Sequence, residues 1–149
     1  MIPVEFFVAG RPAPQGSKRA YKTKSGHVNV VESSKKVRPW RDAVRSETAP
    51  RFAAPLAGPV WVTVNFYLPR PAGHYGTGRN AAQLRPAAPA RPTGAVDDVD
   101  KLLRAVLDGL KDGGAYKDDG QVVTVTARKY YAKGAPGAEI TVRELGETQ

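Results

Sequence analysis

Asp98 and Asp100 stand two residues apart at the start of an apolar-periodic segment, and Asp118 and Asp119 follow one short connection later. Side chains two apart diverge inside a helix, but residues at a helix entry are not yet helical, so both can turn to one ion there. Mg2+ takes oxygen ligands in an octahedron, commonly one or two carboxylates completed by water and substrate phosphate; Mn2+ is the expected substitute. Three or four Asp around such ions suffice for phosphodiester hydrolysis, in which the metal activates water, holds the scissile phosphate and offsets charge on the leaving 3′ oxygen. Arg104 follows Asp100 by one helical turn on the same face, where it can meet transition-state charge or tether the carboxylate. Each acidic pair also has a structural explanation. Acids in a first helical turn are favoured by capping and by the helix dipole, and Asp-Asp-Gly is an ordinary turn.

Other chemistries are poorly supplied. Cysteine is absent, which removes thiol nucleophiles, disulfides and Cys-based zinc sites, and suits a reducing compartment. The two histidines, His27 and His74, are too far apart for metal-ligand spacing. No Walker loop or dinucleotide fingerprint occurs, so no nucleotide cofactor is expected. No apolar run approaches the roughly 18 residues of a membrane span, and the apolar start at residues 1–8 lacks a basic flank and reads as a strand rather than a signal peptide. A cytoplasmic protein is the expectation.

The net charge is +9 over 149 residues. Residues 1–97 carry 15 Lys and Arg against 5 Asp and Glu, whereas residues 98–149 carry 8 against 9. A basic surface around an acidic cluster suits a metal held against a polyanion, with salt-sensitive binding to phosphates.

The elements that must position the acids follow from periodicity. Residues 2–8 read as a strand and residues 10–24 as an irregular basic loop, since Gly10, Pro12, Pro14 and Gly16 forbid regular structure at its start. Lys18, Arg19, Lys22 and Lys24 interleave there with Tyr21, a composition suited to phosphate contact and stacking. Val28–Val31 suggests a short strand. A helix is expected over about 38–52, with Pro39 in its first turn and Trp40, Val44 and Thr48 forming its stripe. Residues 59–69 are the clearest strand, Val60, Val62, Val64, Phe66 and Leu68 lining one face. Residues 69–97, rich in Pro, Gly and Arg, read as a flexible insertion beside the site. The best helix covers 98–111, with Val99, Leu102, Leu103, Val106, Leu107 and Leu110 on the core face and Asp108 in solvent. It ends at Gly113-Gly114. A strand over 121–131, a hairpin loop at 134–137 and a strand over 138–142 complete a single α+β domain over 1–149, a small mixed sheet with helices packed on it in the order β-α-β-α-β-β.

Three stretches resemble the RusA-type Holliday junction resolvases, found in bacteria and their prophages. Asp98-Val99-Asp100-Lys101-Leu102 resembles that family's D-x-D-(N/K)-L helix. Asp118-Asp119-Gly120-Gln121-Val122-Val123 resembles its (D)-D-x-Q-V-V turn and strand, and Pro12-Ala13-Pro14-Gln15-Gly16-Ser17-Lys18-Arg19 resembles the entry loop of phage members. The resemblance implies a Mg2+-dependent endonuclease that resolves four-way DNA junctions by paired symmetric nicks. It places Asp98, Asp100 and Asp119 at the metal-binding catalytic acids and Asp118 at a further acidic position. Arg104 stands where some members carry a catalytic lysine; charge is kept, but a role requiring deprotonation is not. The insertion at 69–97 departs from shorter members. A homodimer is implied, and geometry agrees: two symmetric nicks in a two-fold junction call for one active site per subunit. Lys18, Arg19, Lys22, Lys24, Lys35, Lys36, Arg79, Arg85, Arg91 and Lys101 are the cations expected to contact DNA. The alternatives are a less selective flap or fork nuclease and a non-catalytic basic nucleic-acid-binding protein. Convergence of Asp98, Asp100 and Asp119 is what separates enzyme from binder.

Overall fold

The computed structural model describes residues 2–16, 18–22, 28–32, 35–94 and 97–146. Among these described residues, six strands and two α-helices follow in the order β1 (Val4–Ala9), β2 (Lys18–Lys22), β3 (Val28–Glu32), α1 (Val37–Thr48), β4 (Val60–Leu68), α2 (Val99–Asp112), β5 (Val122–Tyr131) and β6 (Gly137–Glu144). The main sheet has the order β1-β6-β4-β5, with β4 and β5 parallel and the other pairs antiparallel. The fold is α+β, as composition and periodicity suggest.

Alternation explains the central strand. Val60, Val62, Val64, Phe66 and Leu68 are buried, while the residues between them are half-buried on the opposite face. Their cross-strand partners Ala138, Ile140 and Val142 point to the same side. Full burial stabilises by roughly 1.5–3 kcal/mol for each side chain of Val, Leu or Phe size. Trp40, Val44, Leu102, Val106 and Leu110 of the two helices close this core. The helices cross closely because α2 has glycine where α1 approaches: a Cβ on Gly109 would lie 2.7 Å from Val44 Cγ1, and one on Gly113 would lie 2.6 Å from Thr48 Cβ.

Five sequence-based expectations change. Lys18–Lys22 is a strand paired with β3, not part of an irregular loop; the helix and strand breakers all precede Lys18, and pairing with a distant segment overrides weak local preference. The 134–137 turn does not make a hairpin, because β4 lies between β5 and β6. The link crosses the end of β4, where Ala132 N–H donates to Leu68 C=O at 2.8 Å. The first helix stops at Thr48 and passes into a 3-10 turn over Ala49–Arg51, since Pro50 has no N–H to continue the α-helical ladder. Val99, at the helix start, is 37% exposed and does not join the core. Residues 69–94 carry local order: 3-10 turns at Ala72–His74 and Gly78–Asn80, and a bridge between Tyr75 and Leu84 supported by Gly76 N–H to Gln83 C=O at 2.9 Å.

No helix among the described residues is long and apolar enough to cross a membrane.

Candidate active site

The second helix has two working faces. Leu102, Ala105, Val106, Gly109 and Leu110 are its buried stripe. Asp100, Leu103, Arg104, Leu107 and Asp108, spaced at one-turn intervals, form a neighbouring stripe that lines a pocket of about 320 Å³. Asp119, Tyr116 and Val122 close the pocket from the following turn and strand. Asp100, Arg104 and Asp119 are therefore brought together from two elements.

The helix end sets that turn in place. Gly114, at φ 90°, takes the left-handed conformation that glycine adopts without strain. Its N–H bonds to Lys111 C=O and the Ala115 N–H to Leu110 C=O, both at 3.0 Å, the double bond of a Schellman cap. The chain then reverses into Tyr116, which is buried and donates its hydroxyl to Leu107 C=O at 2.7 Å. Burial pushes the Tyr116 phenol well above its ordinary value of 10.0, helped by the negative charges of Asp119, Asp108 and Asp112.

Asp119 opens a 3-10 turn, Asp119–Gln121, capped by Asp118. Asp118 Oδ1 accepts from the Gly120 N–H at 2.8 Å, and Gln121 Oε1 accepts from the N–H groups of Asp118 and Lys117, both at 3.0 Å. Gln121 Nε2 donates to Leu56 C=O at 2.7 Å and Gly58 C=O at 3.1 Å. One carboxamide thus fastens the acidic turn to the segment before β4. Glu144 holds the same segment from the other side, accepting from Ala57 and Gly58 N–H.

Asp98 does not line the pocket. Its extended backbone precedes the helix, its side chain makes no cap, and its carboxylate pairs with Lys101 Nζ at 3.4 Å. Asp119 pairs with Lys111 at 3.6 Å. Both pairs are substantially exposed, so each contributes less than about 1 kcal/mol and exchanges readily for another partner. Among the described residues, no three His, Asp or Glu side chains are gathered into a metal cage. Asp97, just before, contributes its carbonyl to Lys129 Nζ at 2.8 Å, tying the helix entry to β5.

Asp108 is not free in solvent as its helical position suggested. Its Oδ2 accepts from Gln15 Nε2 at 2.6 Å, Gln15 Oε1 accepts from Arg41 at 3.0 Å, and Gln15 N–H donates to Lys101 C=O at 3.0 Å. The entry loop is therefore docked on α2 beside the pocket. Sequence reasoning missed Asp108, Gln15 and the positioning role of Gln121. The signals existed: Asp108 is eight residues from Asp100 and four from Arg104, on one helix face.

The expected DNA-contacting cations are dispersed. Lys35 and Lys36 are exposed just before α1, and Arg79, Arg85 and Arg91 are exposed in the insertion. Arg85 Nε donates to Tyr75 C=O at 2.7 Å. Lys101 is half-exposed and paired with Asp98. The side chains of Lys18, Arg19 and Lys22, and all of Lys24, lie outside the described residues.

Comparison with known proteins supplies a family context. The family model described as endodeoxyribonuclease RusA matches residues 10–143, from the entry loop through β6. An uncharacterized protein of Bacillus subtilis (strain 168), YqaN, is 29% identical over 143 residues, which cover 95% of this chain and 96% of its own.

Proposed function

This chain belongs to the RusA family of endodeoxyribonucleases, and on that premise we propose a Mg2+-dependent endonuclease that resolves four-way DNA junctions by paired symmetric nicks in recombination and repair. The observation that carries the reading is the shared pocket: Asp100 and Arg104 from α2 meet Asp119 from a turn that the chain reaches only after a helix cap and a reversal.

The donor chemistry suits a hard divalent cation. Asp100 and Asp119 offer carboxylate oxygens from two elements, which is as many protein ligands as Mg2+ commonly takes beside substrate phosphate. They are the residues that would hold the ion; Asp98 and Asp118, at the same helix entry and turn but outside the pocket lining, would join as further ligands only by leaving Lys101 and the Gly120 N–H. The ion, when bound, supplies Lewis-acid polarisation of the phosphate and a more acidic water.

The chain's own residues do the rest. Arg104 is exposed at the pocket and makes no ion pair with the described residues. Its guanidinium is available to a phosphate oxygen as charge builds there. Tyr116 is unsuited to proton transfer, since its hydroxyl is committed to Leu107 C=O and its phenol is held neutral. Leu103, Leu107 and Val122 line the pocket beside those charged groups. Gln15 holds Asp108 and so keeps the entry loop against the site. Two such chains related by a two-fold axis would present two sites to the two-fold junction.

Purified protein mixed with a mobile four-way junction and Mg2+ is expected to give symmetric nicks and ligatable duplexes, with duplex, flap and fork substrates cut more slowly. Sedimentation at the assay concentration is expected to give a dimer. Binding without cutting, in Mg2+ and in Mn2+, would leave a non-catalytic DNA-binding protein. Equal cutting of flap and junction would leave a less selective branched-DNA nuclease.

A further inference from the structure

A second concave surface lies far from the acidic pocket. Where β4 and β5 end, Tyr67, Tyr130 and Tyr131 face Tyr75 of the 69–97 segment across a groove of about 880 Å³, with Arg70 and Lys133 among its lining residues. Among the described residues no Asp or Glu lines it; Glu139 stands beside it, accepting from the lining Asn65 at 3.2 Å. The rings of Tyr67 and Tyr130 are stacked on each other, centroids 5.7 Å apart and planes 22° from parallel. The wall opposite is held by Arg70, whose guanidinium lies 4.1 Å from the Tyr131 ring centroid and donates to Pro89 C=O at 2.7 Å. The groove is thus built before any ligand arrives. Lys133 is exposed at its rim.

We propose that this groove binds unpaired nucleotides of DNA, with bases stacked on the tyrosines and backbone phosphates on Arg70 and Lys133. Aromatic faces beside cations are the composition that accepts a base of any identity together with its phosphate. An intact duplex keeps its bases stacked internally and has none to offer. Position also fits. Tyr130 lies eight residues along β5 from Val122 at the acidic pocket, about 26 Å at the rise of a strand. A branched molecule held at one end of β5 would place bases frayed at its branch point at the other. The identity of the substrate as branched DNA rests on the function proposed above.

The test is fluorescence anisotropy of a labelled 12-nucleotide oligo(dT) without divalent metal, on the wild type, Tyr75→Leu and Tyr75→Phe. Junction cleavage in Mg2+ is measured on the same preparations, and circular dichroism checks the fold. Tyr75→Leu is expected to weaken oligo(dT) binding about tenfold, while Tyr75→Phe, which keeps the ring, stays within about twofold. Equal affinity of the wild type and Tyr75→Leu, or wild-type binding of a 12-base-pair duplex as tight as that of oligo(dT), would overturn the proposal. If the wild type cleaves junctions but binds oligo(dT) independently of Tyr75, the groove reading fails and the nuclease reading stands. If binding depends on the Tyr75 ring in a protein that never cleaves, the reverse holds.

Discussion

Asp118 and Gln121 cap each other: Gln121 Oε1 accepts from the Asp118 N–H at 3.0 Å while Asp118 Oδ1 accepts from the Gly120 N–H at 2.8 Å, inside the turn that carries Asp119. The other end of the Gln121 carboxamide is fixed on two carbonyls before β4. The glutamine in this acidic motif is therefore a positioning residue for Asp119. Replacing Gln121 by Leu leaves the part-buried Leu56 and Gly58 carbonyls without this donor and uncaps the exposed turn, at a cost of about 2–3 kcal/mol. For a chain this size the expected fall in melting temperature is about 5–10 °C, with slower junction cleavage at temperatures where the variant is folded. An unchanged melting temperature would contradict this role.

Asp100→Asn and Asp119→Asn each remove one of the three carboxylates on the pocket, the third being Asp108, which Gln15 holds. Loss of a metal ligand is expected to slow cleavage by about 100-fold or more, while junction binding, dominated by cations on phosphates, changes only a few-fold. EDTA should stop the wild type and added Mg2+ restore it. Undiminished cleavage by Asp100→Asn would take Asp100 out of the metal site.

Much of the scaffold was legible because it rests on period. The alternation of Val60 to Leu68 and the stripe of Trp40, Val44 and Thr48 hold in the structure, since each is a local pattern with a buried face. What period cannot state is which segments meet. The insertion of β6 between β1 and β4, and the pairing of Lys18–Lys22 with β3, depend on distant partners. The site divides in the same way. That Asp100 and Arg104 share a helix face follows from spacing, whereas the anchoring of Asp108 by Gln15, 93 residues away, does not. Nor did spacing show that Asp98 stands outside the pocket, paired with Lys101.

Gly109→Ala sets two effects against each other. In an exposed helix the change would stabilise by about 1 kcal/mol. Here the added carbon would lie 2.7 Å from Val44 Cγ1 and 3.1 Å from Arg41 C=O, so α1 must move away from α2. Overpacking of this kind costs about 1–3 kcal/mol and should win. Thermal or urea unfolding is expected to show a net loss of stability, and a gain would mean the helices part easily.

Tyr116 makes stability depend on alkaline pH. Its folded-state value is raised above 10.0 by burial and nearby carboxylates, so the folded protein holds a proton that the unfolded chain releases above about pH 10. Its contribution is complete below that point and falls as pH rises beyond it. Urea unfolding at pH 8, 10 and 11 should show a steeper alkaline decline for the wild type than for Tyr116→Phe, which has no phenol to ionise. Tyr116→Phe should be weaker at pH 8, because Leu107 C=O loses its hydroxyl partner. Parallel pH profiles for the two proteins would contradict the assignment.

Arg104 distinguishes an electrostatic from a proton-transfer role at the pocket. It lies one turn from both Asp100 and Asp108 yet pairs with neither, and two of the pocket's three carboxylates have other partners: Asp108 is held by Gln15 and Asp119 is paired with Lys111. A cation left available beside acids serves substrate phosphate better than it serves the fold. Arg104→Ala should therefore leave the melting temperature within about 2 °C, since exposed charges contribute little to stability. It should slow cleavage by about 100-fold, in the range seen when one preorganised donor to a developing charge is removed. Arg104→Lys keeps the charge and loses the planar fork, so an intermediate rate is expected. If the charge alone matters, the Lys variant will show the pH profile of the wild type between pH 7 and 9. A new ionisation there, with full activity only above it, would mean that a neutral amine at this position takes a proton, and the electrostatic assignment of Arg104 would fall.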